Sequence, residues 1–102
     1  TLDRIKALPD SPTLQEGGLK GFEVKVWHGV YAPKGTPPEA IAKFNAALRT
    51  ALKDPAFSQK MAELGAEIVP ESKQTPEGLQ TWLQSEVDKW GGIIRKVGVY
   101  AD

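Results

Sequence analysis

The sequence predicts an α/β fold, helix-rich, with one long crossover strand and one short strand. Three observations carry that reading. Residues 23–32, Glu-Val-Lys-Val-Trp-His-Gly-Val-Tyr-Ala, form the only long run with strand character, and bulky groups fall on both parities. Three proline-marked starts, at Thr36-Pro37-Pro38, Asp54-Pro55 and Thr75-Pro76, each precede apolar residues at helical spacing. Ala66-Glu67-Ile68-Val69-Pro70 is a short β-branched run closed by a residue that cannot donate to a ladder.

Taken in order, residues 1–12 read as a charged lead-in, because Pro9 and Pro12 disfavour helix there. Thr13-Leu14-Gln15-Glu16 has the capping-box pattern, and Gly17-Gly18 cuts the resulting helix short. In the run from Glu23 to Ala32, Val24, Val26, His28 and Val30 share one parity while Trp27 and Tyr31 take the other, so the strand is expected to be covered on both faces. Pro33 and Gly35 stop it. Thr36-Pro37-Pro38-Glu39 repeats the capping box and opens a helix over about 37–53, with Ile41, Phe44, Leu48, Ala51 and Leu52 as its apolar stripe and Lys43, Arg49 and Lys53 off it. Asp54 caps a second helix over 54–64, striped by Phe57, Met61 and Leu64 and ended by Gly65. The short strand follows. Thr75-Pro76-Glu77 opens the longest periodic segment, over 76–97, with Leu79, Trp82, Leu83, Val87, Trp90, Ile94 and Val97 on one face and Gly98 as its stop. Gly91-Gly92 inside it weakens the helix by roughly 1 kcal/mol per residue at exposed positions, unless something packs closely there.

Composition bounds the function. At 102 residues the chain holds one core, not two. Thirteen basic and thirteen acidic residues cancel, so no basic stripe is available to neutralise phosphates, and nucleic-acid binding is not expected. With no cysteine, disulfides, thiolate catalysis and cysteine metal sites are excluded. No apolar run approaches the roughly 20 residues that span a bilayer. Thr1–Lys6 lacks the pattern of a signal peptide and the chain opens without Met, so whether the sequence is a processed product or a piece stays open.

Three stretches read together resemble one family: 8–18, Leu-Pro-Asp-Ser-Pro-Thr-Leu-Gln-Glu-Gly-Gly; 27–37, Trp-His-Gly-Val-Tyr-Ala-Pro-Lys-Gly-Thr-Pro; and 64–67, Leu-Gly-Ala-Glu. The family is the substrate-binding receptors of tripartite tricarboxylate transporters, the Bug-type periplasmic binding proteins. Glu86-Val87-Asp88-Lys89-Trp90-Gly91 looks like theirs too. The resemblance implies a fragment of a two-lobed periplasmic-binding-protein-like fold, closing on a small carboxylate in the cleft between lobes. It implies that residues 1–28 end the second lobe and form the crossover strand, and that 29–102 are the C-terminal part of the first lobe. It also implies periplasmic location, membrane transporter subunits as partners, and ligand-gripping loops upstream of this chain, with no cofactor.

Trp27, His28 and Gly29 are the candidate ligand-binding residues, as cleft wall or hinge. The bland readings weigh against each of them. Trp27 on a central strand buries a large area in any protein, and Gly29 serves close backbone approach to a neighbouring strand as readily as to a ligand. His28 is the only histidine and lacks nearby partners for base or metal chemistry. Trp82 and Trp90, eight apart on a helix, read as packing, and Glu16 as a cap. Glu86 and Asp88 point in different directions and share no site. No nucleophile, base and oxyanion donor assemble, so no enzyme is expected. The rival reading is a free-standing helical interaction module, which exposed apolar area would favour. With strand edges left open, self-association through residues 24–30 is expected.

Overall fold

Each helix begins where a proline dictates. The computed structural model describes residues 1–98 and holds three α-helices: α1 (Pro38–Leu52), α2 (Pro55–Glu63) and α3 (Pro76–Val97), with a turn of 3₁₀ helix at Glu71–Lys73 before α3. A residue preceding proline is pushed out of the helical region. Pro37, Asp54 and Thr75 accordingly have ψ of 137°, 126° and 157°, and each becomes an N-cap with proline just inside. Asp54 accepts from the Phe57 N–H through Oδ1 at 3.0 Å, and Thr75 from the Gly78 N–H through Oγ1 at 3.0 Å. The expected capping box at Thr36 does not form. Because Pro38 excludes Pro37 from the helix, α1 starts one residue later, its N-cap has no side-chain acceptor, and the Thr36 hydroxyl donates instead to the Pro33 carbonyl at 2.8 Å.

The C-termini follow glycine geometry. After α2, the N–H of Gly65 (φ 71°) meets the Ala62 carbonyl at 3.0 Å and that of Ala66 meets Met61 at 2.9 Å, the paired bonds of a Schellman motif. Gly98, with φ 78°, closes α3 on Ile94. Between α1 and α2 only Lys53 and Asp54 intervene, so the two helices turn against each other at once.

No strand is present among the described residues. Residues 24–32 have no regular secondary structure and make no backbone hydrogen bonds to any other part of the described chain. A strand is defined by its neighbour's N–H and C=O groups, and none lies alongside here. At 66–70 the run is likewise no strand: Ala66 is spent on the α2 cap, and the Val69 carbonyl accepts from Gln74 Nε2 at 2.7 Å. The helix expected at 13–16 is a single hydrogen-bonded turn. Its Thr13 Oγ1 accepts from the Glu16 N–H at 3.1 Å, while the Glu16 carboxylate, instead of reaching back, takes two 3.0 Å bonds from Arg4 Nε. That pairing raises the Arg4 pKa and lowers that of Glu16.

The connector between α2 and α3 is held to α1 by polar groups. Asn45 Nδ2 donates to the Gln74 carbonyl at 2.8 Å, and Arg49 and Lys53 reach Glu71 at 3.8 and 3.1 Å. Asn45, Arg49 and Lys53 are four residues apart and lie along one edge of the helix. Lys53 hydrogen-bonds the Glu71 carboxyl and, with the further charge of Arg49, holds it below the usual carboxylate range. Gly78 completes the junction, since a Cβ there would overlap the Ser72 carbonyl oxygen and come within 3.1 Å of Lys73 Cα.

What the helices do not build is a core. No described residue is fully buried, and Val26 is 89% exposed, against the expectation of a strand covered on both faces. The radius of gyration is 16.7 Å, where a compact domain of this length has about 13 Å. The accessible surface is 8566 Å², against about 5,700 Å² for a compact protein of 11.1 kDa. Two of the tryptophans expected to face inward, Trp82 and Trp90, are half-buried. No helix of the described residues is long and apolar enough to cross a membrane.

Candidate functional site

The extended residues 23–29 lie against α3, and this is where the three candidate residues sit. In an extended chain successive side chains alternate sides. Trp27 is half-buried, and its ring meets Trp82 edge-on, centroids 6.3 Å apart and planes inclined at 70°. On the opposite parity His28 is exposed, as are Val24, Val26 and Val30. Gly29 lies under the ring of Tyr31, where a Cβ would come within 2.8 Å of the hydroxyl and 2.9 Å of Cε2. The structure thus brings Trp27 to α3 and leaves His28 facing away. Those atoms are the far end of the exposed Tyr31 side chain, which can swing aside, so the contact does not by itself require glycine at position 29.

Several partners were not among the candidates. Trp82 is also gripped by Lys73, whose Nζ stands 3.5 Å from the ring centroid, a cation–π contact. Lys89 Nζ donates to the Glu23 carbonyl at 2.6 Å. The Glu23 carboxylate pairs with Lys25 at 3.0 Å. That hydrogen bond from Lys25 is the main cause of its lowered pKa, with Lys89 a smaller contributor. Trp90 donates its indole N–H to Glu86 Oε2 at 3.1 Å. The tryptophan spacing on α3 was the available signal for this face, but nothing local in the sequence marks Lys73 or Lys89.

Two open grooves adjoin this junction. One, of about 410 Å³, is lined by Lys25, Val26, Trp27, Glu86, Val87 and Trp90. The other, of about 460 Å³, lies at the start of α3 between Lys73, Thr75, Thr81, Trp82 and Ser85. Both are shallow and open to solvent. The first joins indole faces to the opposite charges of Lys25 and Glu86, and the second sets Trp82 beside hydroxyls and the opposite charges of Lys73 and Glu77. Among the described residues no cluster of three His, Asp or Glu side chains could hold a metal ion.

Comparison with known proteins gives three findings. The family described as tripartite tricarboxylate transporter family receptor matches residues 1–99. Among curated proteins, the chain is 43% identical over 98 residues to the UPF0065 protein in the TAR-I ttuE-ttuC' intergenic region of Agrobacterium vitis, covering 96% of this chain and 28% of that protein. It is 33% identical over 96 residues to Protein BugT of Bordetella pertussis, covering 94% of this chain and 28% of that one. Among solved structures, the periplasmic binding protein BugD superposes with a TM-score of 0.87 at 42% identity, over all of this chain and 34% of BugD. The chain therefore spans about a third of these relatives or less.

Proposed function

The chain belongs to the tripartite tricarboxylate transporter receptor family, and on that premise we propose that it is the C-terminal part of a periplasmic solute-binding protein. The receptor captures a small organic carboxylate outside the cytoplasmic membrane and delivers it to the membrane subunits of a tripartite tricarboxylate-type transporter. Its work is binding and lobe closure without bond chemistry. The observation that carries this reading is the superposition on BugD over the full length of the chain at 42% identity.

The open features of the structure fit a part of a larger body. Residues 24–32 offer unpaired backbone groups and an apolar, exposed parity. In the whole receptor they become the crossover strand, paired at their edges and covered by chain from outside this segment. The run at 66–70 joins a sheet of the same lobe. Residues 1–28 close the second lobe and 29–102 complete the first, with 99–102 outside the described residues. Trp27, His28 and Gly29 stand where the chain passes between lobes and form cleft wall or hinge. Surface left open on the isolated segment also favours self-association, and it is the feature that suits the rival reading, a free-standing interaction module.

Titration calorimetry on the full-length receptor with acetate, succinate and citrate tests the main reading. Saturable binding of at least one is the expected result, and the 102-residue segment alone should bind none of them. Failure of all three removes the carboxylate assignment. The mass of the native gene product, followed through peptides from residues 27–60, separates part from module. A species far above 11.1 kDa in the periplasmic fraction supports the receptor, and a species at that mass supports the module.

A further inference from the structure

Among the described residues, 24–32 make no backbone hydrogen bonds, so within this segment side chains from α3 hold the crossover against the helix. Two ties do so. Lys89 donates to the Glu23 carbonyl at 2.6 Å, across 66 residues of sequence, and Trp82 meets Trp27 edge-on at 6.3 Å. Lys89 and Trp82 are seven residues apart, two helical turns on one face, or about 10 Å along the axis. Glu23 and Trp27 are four residues apart, a reach of at most about 13 Å, enough to span the two helix positions. The pairing is crossed: the earlier crossover residue meets the later helix residue, so the segment runs antiparallel to α3. One tie would act as a pivot, whereas two at this spacing fix both the position and the direction of the segment. Lys73, with Nζ 3.5 Å from the Trp82 ring centroid, holds the second anchor in turn. Immediately past that anchor come His28 and Gly29.

We propose that Trp82 and Lys89 are positioning residues: by two-point attachment they set the direction in which Trp27, His28 and Gly29 leave α3, and thereby the affinity of the receptor for its carboxylate. The inference rests on the function proposed above for these three residues. Both act through Trp27, His28 and Gly29. Releasing Lys89 leaves Trp27 on a single pivot, and the ordering it supplied beforehand must then be supplied on binding.

The test is made on the full-length receptor, with Lys89→Met (which keeps the stem and removes the cation), Lys89→Arg, and Lys96→Met as a control for charge. Two readouts are taken: the indole N–H resonance of Trp27 in the ligand-free protein, identified through Trp27→Phe, and calorimetric titration with acetate, succinate and citrate. Lys89→Met is expected to shift the Trp27 resonance and to weaken binding about three- to tenfold without lowering the unfolding midpoint. Lys89→Arg should restore most of both, and Lys96→Met should change neither. An unmoved Trp27 resonance overturns the proposal. So does an affinity loss no larger than that of Lys96→Met, or one that follows a fall in the midpoint. If the wild-type receptor binds none of the three acids, the carboxylate reading fails separately, and the Trp27 resonance alone decides the positioning role.

Discussion

Replacing Gly78 by alanine should destabilise the protein, although the position is helical and alanine is the better helix former. Gly78 is the third residue of α3, and its N–H caps on Thr75 Oγ1. In a helix open to solvent the substitution would gain about 1 kcal/mol. Here the new methyl overlaps the Ser72 carbonyl oxygen, sits 3.0 Å from Thr75 Oγ1 and 3.1 Å from Lys73 Cα. Two of those three atoms are backbone, so no rotamer change relieves the overlap, and the Glu71–Lys73 turn must shift. Overpacking of this kind costs about 1–3 kcal/mol, and a shifted turn also strains the Thr75 cap, which contributes about 1 kcal/mol. The net expectation is a loss of about 1–3 kcal/mol. Gly92 lies in the same helix, and an added methyl there would meet nothing within 4 Å among the described residues, so Gly92→Ala should gain about 1 kcal/mol. Urea unfolding followed by circular dichroism, run on both variants in the full-length receptor, measures the difference. If Gly78→Ala proves as stable as Gly92→Ala, the contact between the 3₁₀ turn and α3 does not constrain the fold as argued.

Other expectations follow from the ion pairs and the open edge. The Glu71 pKa is lowered in the folded chain by Lys53 and then Arg49, so its contribution is complete above the unfolded-state carboxylate pKa and fades as pH falls through the lower folded value. Glu71→Gln should therefore flatten the acid limb of the thermal midpoint against pH. Because the pair is solvent-exposed, the effect should be small and should shrink further in high salt, and an unchanged acid limb would remove Glu71 from the account. The isolated 102-residue chain should show a sedimentation coefficient that rises with concentration. Val26→Lys, at an 89% exposed position in the unpaired run, should suppress that rise. A wild-type segment that stays monomeric throughout would refute association through residues 24–30. Truncating Asn45 to alanine leaves the Gln74 carbonyl without its donor at 2.8 Å and should cost about 1 kcal/mol in the same unfolding measurement.

The helix caps were legible in the sequence because each is settled within four residues. Asp54 needs only the N–H of Phe57, Thr75 only that of Gly78, and Gly65 and Gly98 only the last carbonyls of their own helices. The one cap that differs from expectation, at Thr36, is also local: the second proline of Pro37-Pro38 moves the start by a residue. Family membership was legible too, through the stretches 8–18, 27–37 and 64–67.

Partnership between distant residues is what the sequence by itself left undetermined. The alternation at 23–32 describes a chain able to be a strand, but a strand exists only where another supplies the ladder, and the described residues contain none. That Trp27 meets Trp82, that Lys89 reaches Glu23 across 66 residues, and that Asn45, Arg49 and Lys53 reach the connector were decided by tertiary placement. Gly78 shows the same division within one residue. Its helical position follows from the proline and threonine before it, whereas the reason it must lack a side chain is the carbonyl of Ser72, which the fold brings up against it. Local hydrogen bonds fix where helices start and stop; chain closure over tens of residues fixes which surfaces meet, and no short-range pattern encodes that.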